Sequence, residues 1–373
     1  MAKIFISPCG TSLLTNNTDK DLRDFLFANA NKTEAELTTD ERGRIDNHIE
    51  ERRNQLINES PDLATAQQLS AELNGIITYY EENHPGQMGN HNQDIHYLVA
   101  TDTYQGQATA NMVKDWLQQY GITAYVEEIQ YLATNNLENF RLAMSDLVDW
   151  CNEKAQSYPQ PHYELVFNLT GGFKSVNGFL QAIGMFYGAE IVYIFQFSNQ
   201  LLTIPRLPIT FNTEETVGKH LDIFRKLGLN QCLSSEECIG IPETLLSQVG
   251  DEVELSAWGK LVWQQAKEKY YGQFLLKPLG DNLVYSEHFK RDVNGIVPDR
   301  LRKLNERLDQ LWLYLKSGTD GNNLRSLNFH TLRGNPRPPS THECYVWSGE
   351  GSRLYGHFFE GNKYIVDRLG EHL

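Results

Sequence analysis

The chain has 373 residues, with 48 acidic side chains against 33 basic ones and a formal net charge of −15. That length predicts two or three domains, and 40% hydrophobic with 11% aromatic residues is enough to build cores, which excludes wholesale disorder. The longest apolar runs, such as residues 191–195, fall far short of the ~20 residues that span a bilayer, and the opening residues 1–6 lead into a polar turn rather than a signal-like stretch. A soluble, cytoplasmic protein with no membrane partner is therefore expected. Five scattered cysteines without CxxC spacing predict reduced thiols, neither a disulfide framework nor a zinc site. Residues 281–373 carry 13 Lys and Arg against 12 Asp and Glu, so the acidity lies upstream. Such a balance argues against a protein that coats nucleic acid nonspecifically, which needs surplus cations, but leaves room for a small basic site.

The predicted elements begin with a strand over residues 3–7, which closes on the small polar turn Pro8-Cys9-Gly10-Thr11-Ser12. Residues 19–82 are rich in Glu, Gln, Asn, Leu and Ala at helical spacing and predict a helical insertion, followed by a loop to about residue 90. Strands at 95–100, 124–129, 163–169 and 191–197 then alternate with helices at 108–120, 137–156 and 175–187. Strand and helix in alternation imply a parallel sheet covered on both faces, whose ligands bind beyond the carboxyl ends of the strands. Three turns there have suitable chemistry: Gly10-Thr11-Ser12, Thr101-Asp102-Thr103, and Asn168-Leu169-Thr170-Gly171-Gly172-Phe173-Lys174. Two glycines let backbone N–H groups approach an anion at a helix start, and Lys174 adds a mobile charge. The spacing matches neither a P-loop nor a dinucleotide fingerprint, and a purely structural tight turn is the competing reading.

Residues 213–280 predict short helical segments and a helix capped by Ser256, a small winged-helix-like connector used for packing and dimerisation. Its acidity weighs against reading DNA. Beyond it, a strand at 283–285, helices carrying the stripe Leu301, Leu304, Leu308, Leu311 and Leu315, and strands at 343–347, 353–359 and 363–369 predict a helical hairpin on a small antiparallel sheet. This stretch holds five of the eleven histidines, His288, His330, His342, His357 and His372, among Arg325, Arg333, Arg337, Arg353 and Arg368, with Tyr345, Trp347 and Tyr355 available for stacking. Metal-free RNA cleavage needs a base for the ribose 2′-OH, a proton donor for the leaving oxygen and a cation at the phosphate, roles that His and Arg fill. Carboxylate or His clusters of metal-ligand spacing do not occur here, so no metal or cofactor is expected.

The turns Ser7-Pro8-Cys9-Gly10-Thr11-Ser12 and Asn168-Leu169-Thr170-Gly171-Gly172-Phe173-Lys174 resemble those of CARF domains, the CRISPR-associated Rossmann-like sensors, over about residues 1–210. The resemblance implies a homodimer holding a cyclic oligoadenylate, such as cyclic tetra-adenylate, in a pocket lined by Gly10, Thr11, Ser12, Thr101, Thr103, Gly171, Gly172 and Lys174. Residues 283–373 resemble RelE-type mRNA interferases through Thr331-Leu332-Arg333-Gly334, Glu343-Cys344-Tyr345-Val346-Trp347, Ser352-Arg353-Leu354-Tyr355-Gly356-His357 and Arg368-Leu369-Gly370-Glu371-His372. That family cleaves mRNA in the ribosomal A site by 2′-OH attack, and Arg353 matches its transition-state arginine. Val346 and Ser348 stand where several members carry lysines, so His357, His372 and His342 are acid–base candidates by residue type, with Arg333 and Tyr345 beside them.

The expected architecture is thus an α/β, Rossmann-like sensor over 1–212 with a helical insertion at about 19–90, a connector over 213–280, and an α+β ribonuclease domain over 281–373. The expected activity is a cyclic-oligoadenylate-activated, ribosome-dependent mRNA endoribonuclease of type III CRISPR defence, with ribosome, mRNA and a second copy as partners and docking through a ribosomal protein as a route to the ribosome. The alternatives are a ring nuclease degrading its own ligand with help from Ser12 or Lys174, and a transcriptional regulator reading DNA through 213–280. The leading expectation is overturned if the ends of the first and fourth strands are plugged by side chains and no twofold cavity exists.

Overall fold

The computed structural model describes residues 1–58, 63–132, 136–158, 162–195, 200–205, 213–317, 327–333, 338–347, 351–361 and 363–371. The chain divides into two compact units, Met1–Thr210 and Phe211–Leu373. Among the described residues no helix is long and apolar enough to cross a membrane. All five cysteines are unpaired thiols.

The first unit is built on strands β1 (Ala2–Pro8), β2 (Ile95–Thr101), β3 (Thr123–Ile129), β4 (Tyr163–Asn168), β5 (Glu190–Ile194) and β6 (Leu201–Pro205), in the order β3-β2-β1-β4-β5-β6. The first five run parallel; β6 returns antiparallel beside β5 at the edge. Ile4, Phe5 and Ile6 are wholly buried, as a central strand covered on both faces demands. The chain leaves β1 on one side, toward β2, and β4 sits on the other, so the switch point of the sheet lies between the ends of β1 and β4.

The insertion folds as helices α1 (Lys20–Ala28), α2 (Thr39–Arg53), α3 (Leu63–Leu69) and α4 (Ala71–Asn83). Each start has a local cause. Asp19 accepts from the Leu22 N–H, Thr38 and Glu41 form a reciprocal capping box, and Ser70 accepts from the Leu73 N–H. Helix α4 buries Leu73, Ile76, Ile77, Tyr79 and Tyr80 in the same core as Phe5, Val166 and Val192, so it serves as a packed layer of the sheet. The crossover helices are α5 (Tyr104–Gln119), α6 (Leu137–Ser157) and α7 (Lys174–Tyr187). Helix α5 starts four residues before the expected position, because Thr103 caps it through the Gly106 N–H.

The second unit holds two apolar clusters. One gathers α8 (Leu221–Leu227), α9 (Ala257–Gln273) and a three-stranded sheet of β7 (Leu233–Ser234), β8 (Leu246–Val249) and β9 (Glu252–Leu255) in the order β7-β9-β8. The hairpin over 246–255 was not foreseen; Ser256 caps α9 as expected. The other cluster packs α10 (Glu287–Asp292) and α11 (Pro298–Ser317) on a five-stranded sheet. Its strands are β10 (Leu283–Tyr285), β11 (His330–Thr331), β12 (His342–Tyr345), β13 (Ser352–Phe359) and β14 (Lys363–Glu371), in the order β10-β14-β13-β12-β11. Leu301, Leu304, Leu308 and Leu311 form the buried stripe of α11, with Leu315 at its margin. Within this unit Arg225 donates to both carboxylate oxygens of Asp309, at 3.1 and 2.5 Å, in a site that also receives the Tyr271 hydroxyl. Burial works against the Arg225 cation, but the hydrogen bonds and charge of Asp309 raise its pKa.

Candidate functional sites

In the first unit the two glycine turns meet at the switch point. Gly10 packs so tightly on Gly172 that a Cβ on Gly10 would lie 3.3 Å from the Gly172 Cα. Gly172 has φ +81°, a conformation that favours glycine, and a Cβ there would strike Pro8. The sequence had pointed to N–H groups open to an anion. They are already engaged. Oε1 of Glu72, in the first turn of α4, accepts from the Gly10 N–H at 2.8 Å and from the Gly172 N–H at 3.2 Å. Oε2 accepts from the Ser12 and Ser70 hydroxyls, each at 2.8 Å. Glu72 is 1% exposed, and a side chain on Gly171 would collide with its carboxyl. The expectation that the ends of β1 and β4 stand open is corrected here: a carboxylate from the insertion closes the space between them.

Asn168, at the end of β4, donates to the Glu72 carbonyl at 3.2 Å, so the helix that carries the carboxylate is itself held from the sheet. Burial, with the Glu72 charge second, pushes the Cys9 thiol up, which makes Cys9 an inert packing residue. Thr101 and Thr103 are both 1% exposed and hydrogen-bond each other at 2.8 Å, Thr103 also capping α5. Thr11 is 9% exposed, whereas Lys174 and Ser175 are exposed at the start of α7. The loops are therefore adjacent as expected, with Lys174 at their solvent rim and Gly10, Gly171 and Gly172 wrapped around Glu72.

In the second unit the strand registers decide which candidates share a face. Arg353 lies opposite Tyr345, and Glu343 lies opposite both Tyr355 and His330. Alternation then places Arg353, Tyr355 and His357 on one face of β13, while Leu354 turns into the core. The Arg353 guanidinium lies 3.7 Å from the centroid of the Tyr345 ring and donates to the Ser352 carbonyl. His357 meets Oδ2 of Asp367 through Nδ1 at 2.9 Å, and that carboxylate also accepts from the Ser340 hydroxyl at 2.7 Å. Asp367 reaches His357 because β14 carries one extra residue: Tyr355 pairs with Arg368 and Gly356 with Val366, leaving Asp367 as the bulge. His330 meets the Asn328 carbonyl through Nδ1 at 2.7 Å and Oε1 of Glu343 through Nε2 at 3.1 Å.

His342 is not with these groups. Directly opposite the bulge-side Gly356, it stacks on Phe329 with ring centroids 5.2 Å apart and packs against Phe358. Burial first, and His330 second, lower its pKa. Arg333 is exposed two residues past β11. His372 lies outside the described residues. Sequence reasoning missed Glu72, Asp367 and the His330–Glu343 pair. Ser70 followed by an acidic residue was the only local sign of the first; the other two depend on register.

Residues 67–207 match the family model of a CRISPR-associated protein (Cas_APE2256), a span that starts within α3, takes in Glu72 and the Gly171–Gly172 turn, and runs past β6. The likeness supports a CRISPR-related role for the chain. Residues 211–373 lie beyond the match.

Proposed function

We propose that the protein is a ligand-gated ribonuclease, in which a cyclic oligoadenylate received at the solvent rim of the glycine loops of the first unit, beside Lys174, turns on ribosome-dependent mRNA cleavage by the second. The observation that carries the catalytic half is the placement on one sheet face of Arg353 stacked on Tyr345, His357 held by Asp367, and His330 held by Glu343. The gating half is supported by the CRISPR-associated match and by the adjacent glycine loops with exposed Lys174 at their rim.

The chemistry follows from the hydrogen bonds. Asp367 fixes the tautomer of His357 with a hydrogen on Nδ1, leaving the Nε2 lone pair to take the proton of a ribose 2′-OH. The 2′-oxygen then bonds to phosphorus as the bond to the 5′-oxygen breaks. His330, held between the Asn328 carbonyl and Oε1 of Glu343, is the candidate donor to that departing oxygen once its ring turns from one of these acceptors. Arg353, kept flat by Tyr345, supplies charge to the crowded phosphate. The products are a 2′,3′-cyclic phosphate and a 5′-hydroxyl. A gate of this kind requires the ligand to bind the active state more tightly than the resting one.

The test mixes the full chain with translating ribosomes and cyclic tetra-adenylate and follows the message by primer extension. Cleavage should depend on the cyclic nucleotide. Arg353→Ala should lower the rate by about 10²–10³-fold, the cost of losing one transition-state donor, and Asp367→Asn should also lower it, with ligand binding retained in both. A message equally intact, or equally cut, with and without the cyclic nucleotide refutes the proposal.

A further inference from the structure

The most heavily hydrogen-bonded group at the candidate ligand site is one supplied by the protein itself. Two backbone N–H groups from loops about 160 residues apart in sequence converge on Oε1 of Glu72, and two serine hydroxyls on Oε2. This is the donor arrangement that fixes a phosphate at a glycine turn. An entering phosphate would have to expel a carboxylate that is 1% exposed and leave four donors to be matched again. Ser12 and Ser70 are committed twice over, since their oxygens also accept from the N–H groups of Ala71 and Leu73.

We infer that Glu72 is a positioning residue: its carboxyl is the standing occupant of the Gly10 and Gly172 N–H groups, and it ties α4 of the insertion to both loops of the ligand site. A bound cyclic nucleotide therefore places its phosphates at the rim, against the Lys174 side chain, and not on the glycine N–H groups. The inference rests on the ligand reading given above, and it changes which protein atoms recognise the ligand. What matters in Glu72 is reach and acceptor geometry, not charge. Glutamine keeps the oxygen that both N–H groups need and sets its amide nitrogen against the two serine oxygens, whose hydroxyls turn to accept from it, whereas aspartate keeps the charge but stops one methylene short.

Two readouts on the full chain separate the possibilities. Titration calorimetry with cyclic tetra-adenylate should give an affinity for Glu72→Gln within about threefold of the parent, and a loss of tenfold or more for Glu72→Asp and for Lys174→Ala. Hydrogen exchange of peptides covering residues 9–12 and 170–174, without nucleotide, should be slow in the parent and in Glu72→Gln and faster in Glu72→Asp. The inference is overturned if Glu72→Gln binds tenfold tighter, because the carboxylate would then compete with a phosphate. It is equally overturned if Glu72→Asp matches the parent in both readouts. A parent that binds no cyclic oligoadenylate yet keeps the expected exchange pattern removes the ligand assignment and leaves the tie standing.

Discussion

His96 gives the most quantitative handle on the first unit. It is wholly buried, stacked flat on Phe5 with ring centroids 4.3 Å apart, and 2.9 Å through Nε2 from the Tyr80 hydroxyl. Tyr80 gives its proton to Asp94 at 3.0 Å, so His96 donates from Nε2, and its Nδ1 is left without a partner in the core. His91 faces the same Oδ2 of Asp94 through Nδ1 at 3.5 Å, and the Lys3 backbone N–H donates to Oδ1 at 2.7 Å. Protonating Nδ1 would bury a cation with no acceptor, which is why burial depresses the pKa to about 3. The unfolded chain titrates near 6.5. A folded pKa below the unfolded one means that the contribution of His96 is complete above pH 6.5 and is lost as the pH falls through that value toward about 3. Each pH unit below 6.5 costs about 1.4 kcal/mol, so roughly 3 kcal/mol is gone at pH 4.5. Urea unfolding at pH 7.5 and 4.5, read by amide exchange of peptides from β1 and β2, should show that loss in the parent beyond whatever His96→Phe shows. Equal losses in the two proteins would refute the argument.

Two further outcomes concern packing. Arg225→Met leaves the Asp309 carboxylate buried with Tyr271 alone, and should destabilise the second unit by about 3–5 kcal/mol at pH 7.5. Burial pushes the Asp309 carboxyl up, so in that variant the loss should shrink at pH 5 as the group takes a proton, and Arg225→Met with Asp309→Leu should recover most of it; urea midpoints of the three proteins check this. Gly171→Ala drives a methyl into the Glu72 carboxyl and should cost about 1–3 kcal/mol in the first unit, measured by thermal unfolding, whereas Gly43→Ala, inside a helix where a Cβ meets open space, should cost nothing and raise stability by up to about 1 kcal/mol.

The parallel sheet was legible because its strands read as apolar runs that each end in a small polar turn, and because buried helices announce themselves by leucine spacing. The edge strand β6 was not, since its residues are half exposed and carry no alternation distinct from a loop. The glycine turns identified the switch point, yet what fills it came from a residue 62 positions from Gly10 and 100 from Gly172, and the capping Ser70 beside Glu72 marks a helix start rather than that meeting. Arg353 and Tyr345 were legible as types; their stacking follows from the register of β12 on β13. His342 shows the limit of type-based reasoning, because one step along a strand turned it onto Phe329 and away from Arg353.

The extra residue in β14 sets a lasting constraint on how this sheet can change. Tyr364 and Val366 point to the helices, and after Asp367 the phase resets so that Leu369, opposite Leu354, rejoins them. A single-residue deletion anywhere in that turn of strand would force a choice between keeping the oily side continuous and keeping an acid beside His357. Descendants of this sequence are free to vary many letters here, but not the spacing between them.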